Sequence, residues 1–73
     1  MAKRRRRVVL GIRLINRARK ALNDGDCATA ERVARIATKA YRSTTGIQRR
    51  EFPERMLNHL RADVEACQRE RRR

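Results

Sequence analysis

The chain has almost no aromatic side chains: Tyr41 and Phe52 are the full complement, and tryptophan is absent. Stacking on bases, the usual partner of charge in single-strand recognition, is therefore nearly missing. Glycine occurs only as Gly11, Gly25 and Gly46, too scattered for a phosphate-cradling loop. The single serine, Ser43, lies far in sequence from the single histidine, His59, so no Ser-His-Asp arrangement is expected. Cys27 and Cys67 stand forty positions apart, without the close ligand pair that a metal site with His59 would need. A small secreted domain usually carries more cysteines, so these two read as small hydrophobes in a reducing cytosol, with a disulfide between them as the lesser alternative. His59 reads as an exposed partner of Asp63, four residues on, or as an imidazole at the core edge. The longest early apolar run, Val8 to Ile12, stops at Arg13. It is shorter than the roughly 7–15 residues of a secretory core and the ~20 of a bilayer span. The acid-free start imitates a mitochondrial presequence, but no serine precedes Ser43. We therefore expect no enzyme, metal, cofactor, small-molecule substrate or membrane segment.

What the chain does have is positive charge. It carries 21 Lys and Arg against 8 Asp and Glu in 73 residues, a net +13. Residues 1–22 hold nine bases and no acid, 23–50 six bases and three acids, and 51–73 six bases and five acids. Such a field draws polyanions or acidic protein surfaces but says little about fold. The length allows one domain, burying only about 60% of the surface its unfolded chain exposes. With ten alanines and two aromatics, the expected stability is a few kcal/mol, near the low end of the roughly 5–15 usual for domains.

The pattern reads as all-α: a small antiparallel helical hairpin plus a third, C-terminal helix, with disordered basic termini. Residues 1–7 read as a flexible basic arm, 8–70 as the single helical domain and 71–73 as a frayed tail, the fraying reaching back toward Arg69. Val8, Ile12, Ile15, Ala18 and Leu22 have helical spacing, and Asn23-Asp24-Gly25 ends that helix over 8–23. Asp26 is the natural N-cap of a second helix over 27–42, with Glu31 near its positive end. Its inward stripe is Ala30, Val33, Ala34, Ala37 and Tyr41. The turn chemistry of Gly25-Asp26 followed by Ala30 resembles a tetratricopeptide hairpin, though no repeat follows it. Thr45 with Gln48 fits a capping box for a short turn, and Pro53 suits the start of the last helix. That helix has the stripe Met56, Leu57, Leu60, Val64 and Cys67, with Phe52 closing over Met56 and Glu54 at the positive end.

Candidate binding residues follow from the charge. Arg4, Arg5, Arg6 and Arg7 belong to the arm. Arg13, Arg17 and Lys20 form a stripe on the first helix, and Arg32, Arg35, Lys39 and Arg42 one on the second. Surfaces that serve only solubility interleave both signs, whereas between Gly25 and Arg50 the one interspersed helical acid is Glu31. Gln48, Arg49 and Arg50 after a tight turn echo a helix-turn-helix, but Pro53 cuts the element short of a recognition helix. Direct DNA or RNA binding, through such an echo or by phosphate tracking, is the alternative to docking on an acidic protein groove.

An arginine-run head, a small helical hairpin, one further helix and an arginine tail in 73 residues resemble the small RNA-polymerase-binding transcription regulators of lytic Xanthomonas bacteriophages. The resemblance covers length and layout and carries no individual contact residue over. It implies binding to host bacterial RNA polymerase near the N-terminal region of the β′ subunit. It further implies inhibition of initiation by displacing the σ factor, antitermination, and a setting in the cytoplasm of an infected host. Nonspecific contact with nearby DNA or RNA would make use of the spare charge.

Overall fold

The structure is a computed structural model, and it describes residues 6–71. Among these residues the fold is all-α, with four helices and no strand: α1 Arg6–Asn23, α2 Cys27–Arg42, α3 Gly46–Glu51 and α4 Glu54–Arg71. No helix among them is long and apolar enough to cross a membrane. Two boundaries differ from the sequence reading. Arg6 and Arg7, assigned to a flexible arm, are helical, and the tail stays helical through Arg71. Arginines at a helix N-terminus are disfavoured by its dipole. Arg7 has a compensating partner: its guanidinium donates to the Ser43 carbonyl, 2.5 Å away, just past the end of α2. The rest of the arm, including Arg4 and Arg5, and the last two residues of the tail lie outside the described residues.

The turn between α1 and α2 follows from three residues. Gly25 adopts φ +78°, a left-handed conformation that favours glycine. Its amide donates to the Leu22 carbonyl at 3.0 Å, and the Asp26 amide to Ala21 at 2.8 Å. This pair of bonds is a Schellman motif, which satisfies carbonyls that the end of α1 would leave open. Asp26 then caps α2 by accepting from the Thr29 amide at 3.1 Å. Glu31 lies beyond the first turn of α2, so it does not serve the helix dipole as expected.

The core combines six alanines with seven larger side chains: Leu14, Ile15, Val33, Phe52, Leu57, Leu60 and Val64. On α2 the inward residues are Cys27, Ala30, Val33, Ala34, Ala37 and Ala40; Tyr41, expected inside, is only partly buried. On α1 the buried set is Val8, Gly11, Leu14, Ile15, Ala18 and Ala21. Ile12, expected in the core, is 39% exposed, and Leu22 is only partly buried.

Phe52 explains the rotation. Its ring occupies the space beside Gly11, where any Cβ would overlap it. It also meets the Tyr41 ring edge-on, with centroids 5.2 Å apart. Phe52 is thereby drawn into α1 and α2 instead of over Met56, which stays 46% exposed. Hydrophobic periodicity cannot see a glycine that serves as a socket. Replacing Gly11 by Ala should therefore destabilise the domain by about 1–3 kcal/mol through overpacking, despite the helix-propensity gain of up to ~1 kcal/mol. Urea unfolding of the variant checks this; a more stable Gly11→Ala protein would mean the ring does not sit there.

The loop after α2 is fastened by Thr44. This residue is fully buried, and its hydroxyl donates to the Tyr41 carbonyl at 2.5 Å. The expected capping box is not formed, because Thr45 is the N-cap of α3 but makes no side-chain bond. Pro53 precedes α4, and its carbonyl accepts from the Leu57 amide at 3.0 Å. It thus stands one residue outside the helix it was expected to begin.

The largest departure concerns the cysteines. They are not free small hydrophobes: Cys27 and Cys67 are joined by a disulfide, their Cα atoms 5.9 Å apart. That separation is ordinary for a bridged pair. The path of α4 brings its end beside the start of α2, where Gln68 also donates to the Glu31 carboxylate. Sequence separation carries no information about that approach.

Candidate docking surface

The outer side of α1 presents Arg6, Arg13, Arg17 and Lys20, all exposed, at steps of seven, four and three residues. Those steps keep them on one face, away from the inward Gly11, Ile15 and Ala18. On α2, Arg32, Arg35, Lys39 and Arg42 are likewise exposed, at steps of three, four and three. Both stripes thus lie where the sequence reading placed them.

Exposed aliphatic side chains are set among these cations, a feature that charge counting missed. Leu10 is 47% exposed and stands seven residues, two helical turns, before Arg17. Ile36 is also 47% exposed and lies one turn from both Arg32 and Lys39. The signal was present in the sequence, since both residues fall outside the apolar stripes assigned to their helices.

The other candidate arginines divide into tied and open. Arg7 is held at Ser43. Arg49 donates to the Arg42 carbonyl at 3.0 Å, and its guanidinium carbon lies 5.2 Å from the centre of the Tyr41 ring. That cation–π contact braces α3 against the end of α2. Arg50 is exposed at the end of α3, a helix of six residues.

The ion pairs among the described residues are Arg19–Asp63 and Arg35–Glu31, the latter at 2.6 Å. Asp63 therefore serves Arg19 across the α1–α4 seam, and His59 is exposed without it. Both pairs are open to water and stabilise little. Arg35, counted in the α2 stripe, is partly neutralised by its acid.

A cleft of about 460 Å³ runs between α2 and α4. It adds Arg61, which the sequence reading omitted, to Arg35, Lys39 and Arg42. Arg61 sits on the flank of the α4 stripe, three residues before Val64 and seven before Gln68, so helical spacing puts it beside the inward face of α4 but does not tell that α2 lies opposite.

The Asp26 carboxyl is held below the usual carboxylate range. The cause is hydrogen bonding to Thr29, side chain first and then backbone, with the charges of Arg71 and Arg32 adding to it. Among the described residues no group of three or more His, Cys, Asp or Glu is arranged to hold a metal ion. No protein-family model, curated protein or solved structure matches the chain.

Proposed function

We propose that the chain is a non-enzymatic regulator that docks on bacterial RNA polymerase. Its target would lie near the N-terminal region of β′, where it would displace the σ factor from initiation complexes and act as an antiterminator. In this reading α1 and α2 form an antiparallel hairpin that carries the docking face, α4 braces it, and the site of action is the cytoplasm of an infected bacterium. The resemblance in length and layout supports the choice of polymerase.

One observation carries the choice of protein over nucleic acid. Leu10 and Ile36 stand exposed inside the basic stripes, where a phosphate backbone gains nothing from them. A protein surface does gain, since burying the exposed half of each contributes about 1 kcal/mol at ~25 cal/mol per Å². DNA or RNA nearby would still be attracted to the charge without being read. The six-residue α3 is too short for a recognition helix, and Arg49 there is already committed to Tyr41.

The test compares Leu10→Ser/Ile36→Ser with the wild type. The double variant should bind purified polymerase about 30-fold more weakly, the equivalent of ~2 kcal/mol, while its affinity for duplex DNA stays unchanged. A salt titration separates the two modes further. DNA binding should fall with a log–log slope of about −0.9 per phosphate neutralised, whereas polymerase binding retains a salt-resistant part. Parallel loss of both affinities, or full polymerase affinity in the double variant, would remove the case for protein docking.

A further inference from the structure

We infer that the cleft between α2 and α4 is a receptor for an acidic, extended segment of a partner protein, one that alternates carboxylate and aliphatic side chains. The proposal deepens the docking reading above by assigning a contact between α2 and α4 that uses the Lys39 and Arg42 end of the α2 stripe together with Arg61.

The two ends of the cleft differ in charge. At one end each oxygen of the Glu31 carboxylate accepts one bond, from Arg35 on its own helix and from Gln68 on α4. Toward the other end stand Lys39, Arg42 and Arg61. Among the described residues none of these three side chains has a hydrogen-bond or ion-pair partner, and the remaining acid of the cleft is Glu65. Lys39, Arg42 and Arg61 thus line the cleft from two helices and outnumber its remaining acid, Glu65. Like charges so gathered repel one another, and a carboxylate placed between them relieves that repulsion while making charge-assisted hydrogen bonds. Arginine suits this role, because its planar fork matches a carboxylate with two parallel donors.

The floor decides between a peptide and a nucleic acid. Ala34 and Val64 line the bottom of the cleft, and both are buried. An aliphatic side chain laid over them and over the methylene stems of the flanking Lys and Arg side chains buries apolar surface, which a phosphate would not. The volume of about 460 Å³ falls in the ordinary range of ligand pockets. It admits a few side chains of a single extended strand and excludes a duplex, which reaches only the rim. Thr38 offers no free hydroxyl proton, since it donates to the Ala34 carbonyl at 2.9 Å. Recognition therefore rests on the three cations and the apolar floor.

The experiment uses the full chain, isotopically labelled, and a synthetic peptide of alternating Glu and Leu as probe. Amide shifts should concentrate on the cleft-facing parts of α2 and α4. Arg61→Glu should weaken the peptide at least tenfold and Arg61→Gln by less, while Arg13→Glu on the outer face of α1 has little effect. Circular dichroism confirms that each variant keeps its helices; if Arg61→Glu does not, Arg61→Gln and Arg42→Gln carry the test. Shifts spread over α1, or equal binding of an alternating Glu–Ser peptide, would overturn the proposal by showing charge attraction without a floor. Polymerase binding is measured separately on the same proteins. A peptide that seats in the cleft of a protein indifferent to polymerase leaves the cleft standing and removes the polymerase reading. Polymerase bound equally by wild type and Arg61→Glu, with no peptide seated, does the reverse.

Discussion

Reduction of the Cys27–Cys67 bridge is expected to lower the free energy of unfolding by about 4 kcal/mol, the chain-entropy value for a closed loop of this length. The two cysteines are separated by 40 positions, so the bridge removes many conformations from the unfolded chain. It also fastens the end of α4 to the start of α2. Denaturation followed by far-ultraviolet circular dichroism, with and without dithiothreitol, gives the measurement. The double variant Cys27→Ser/Cys67→Ser should match the reduced protein and be insensitive to reductant. Equal midpoints in all three samples would mean that the bridge contributes nothing to the fold.

The size of this effect matters for the proposed setting. Disulfides are rare in bacterial cytosol, where thiol reductants keep cysteines apart. A domain whose core is nearly half alanine and whose expected stability lies near the low end of the ~5–15 kcal/mol usual for domains would lose a large share of it there. Binding supplies a replacement: a partner present at about a thousand times its dissociation constant stabilises the folded state by ~4 kcal/mol. In a reducing compartment the fold would thus depend on a bound partner.

Local chemistry was legible in the sequence, and long-range chemistry was not. Asn23 to Asp26 announces its turn because glycine and aspartate there each have one structural use, and α2 announces its inward face through alanines spaced at three and four. The basic stripes are legible for the same reason, since helical spacing alone sets which residues share a face. What escaped depends on contacts between elements. Gly11 is inward because Phe52 from another segment fills its place. Arg19 finds Asp63 across 44 positions, and Gln68 finds Glu31 across 37. Arg61 joins the cations of α2 only once α4 lies alongside. No periodicity within a single helix encodes any of these partners.

The rotation of α1 has an energetic signature that a pair of truncations reads out. Ile15 is 0% exposed, whereas Ile12 is 39% exposed on the same helix. Ile15→Ala leaves a cavity in the buried cluster that α1 shares with Leu57, Leu60 and the alanines of α2. The expected cost is about 2–5 kcal/mol, comparable with loss of the disulfide. Ile12→Ala removes surface that water already reaches in part, and its cost should stay under about 1.5 kcal/mol. Both are measured by urea unfolding under non-reducing conditions, so that the bridge holds the reference state constant. Three residues apart, the two isoleucines would contribute alike if α1 buried the stripe that its hydrophobic spacing suggests. Equal costs would therefore return Ile12 to the core and displace Phe52 from Gly11. A large loss at Ile15 alone fixes the face that α1 turns inward, and with it the outward direction of Arg13, Arg17 and Lys20.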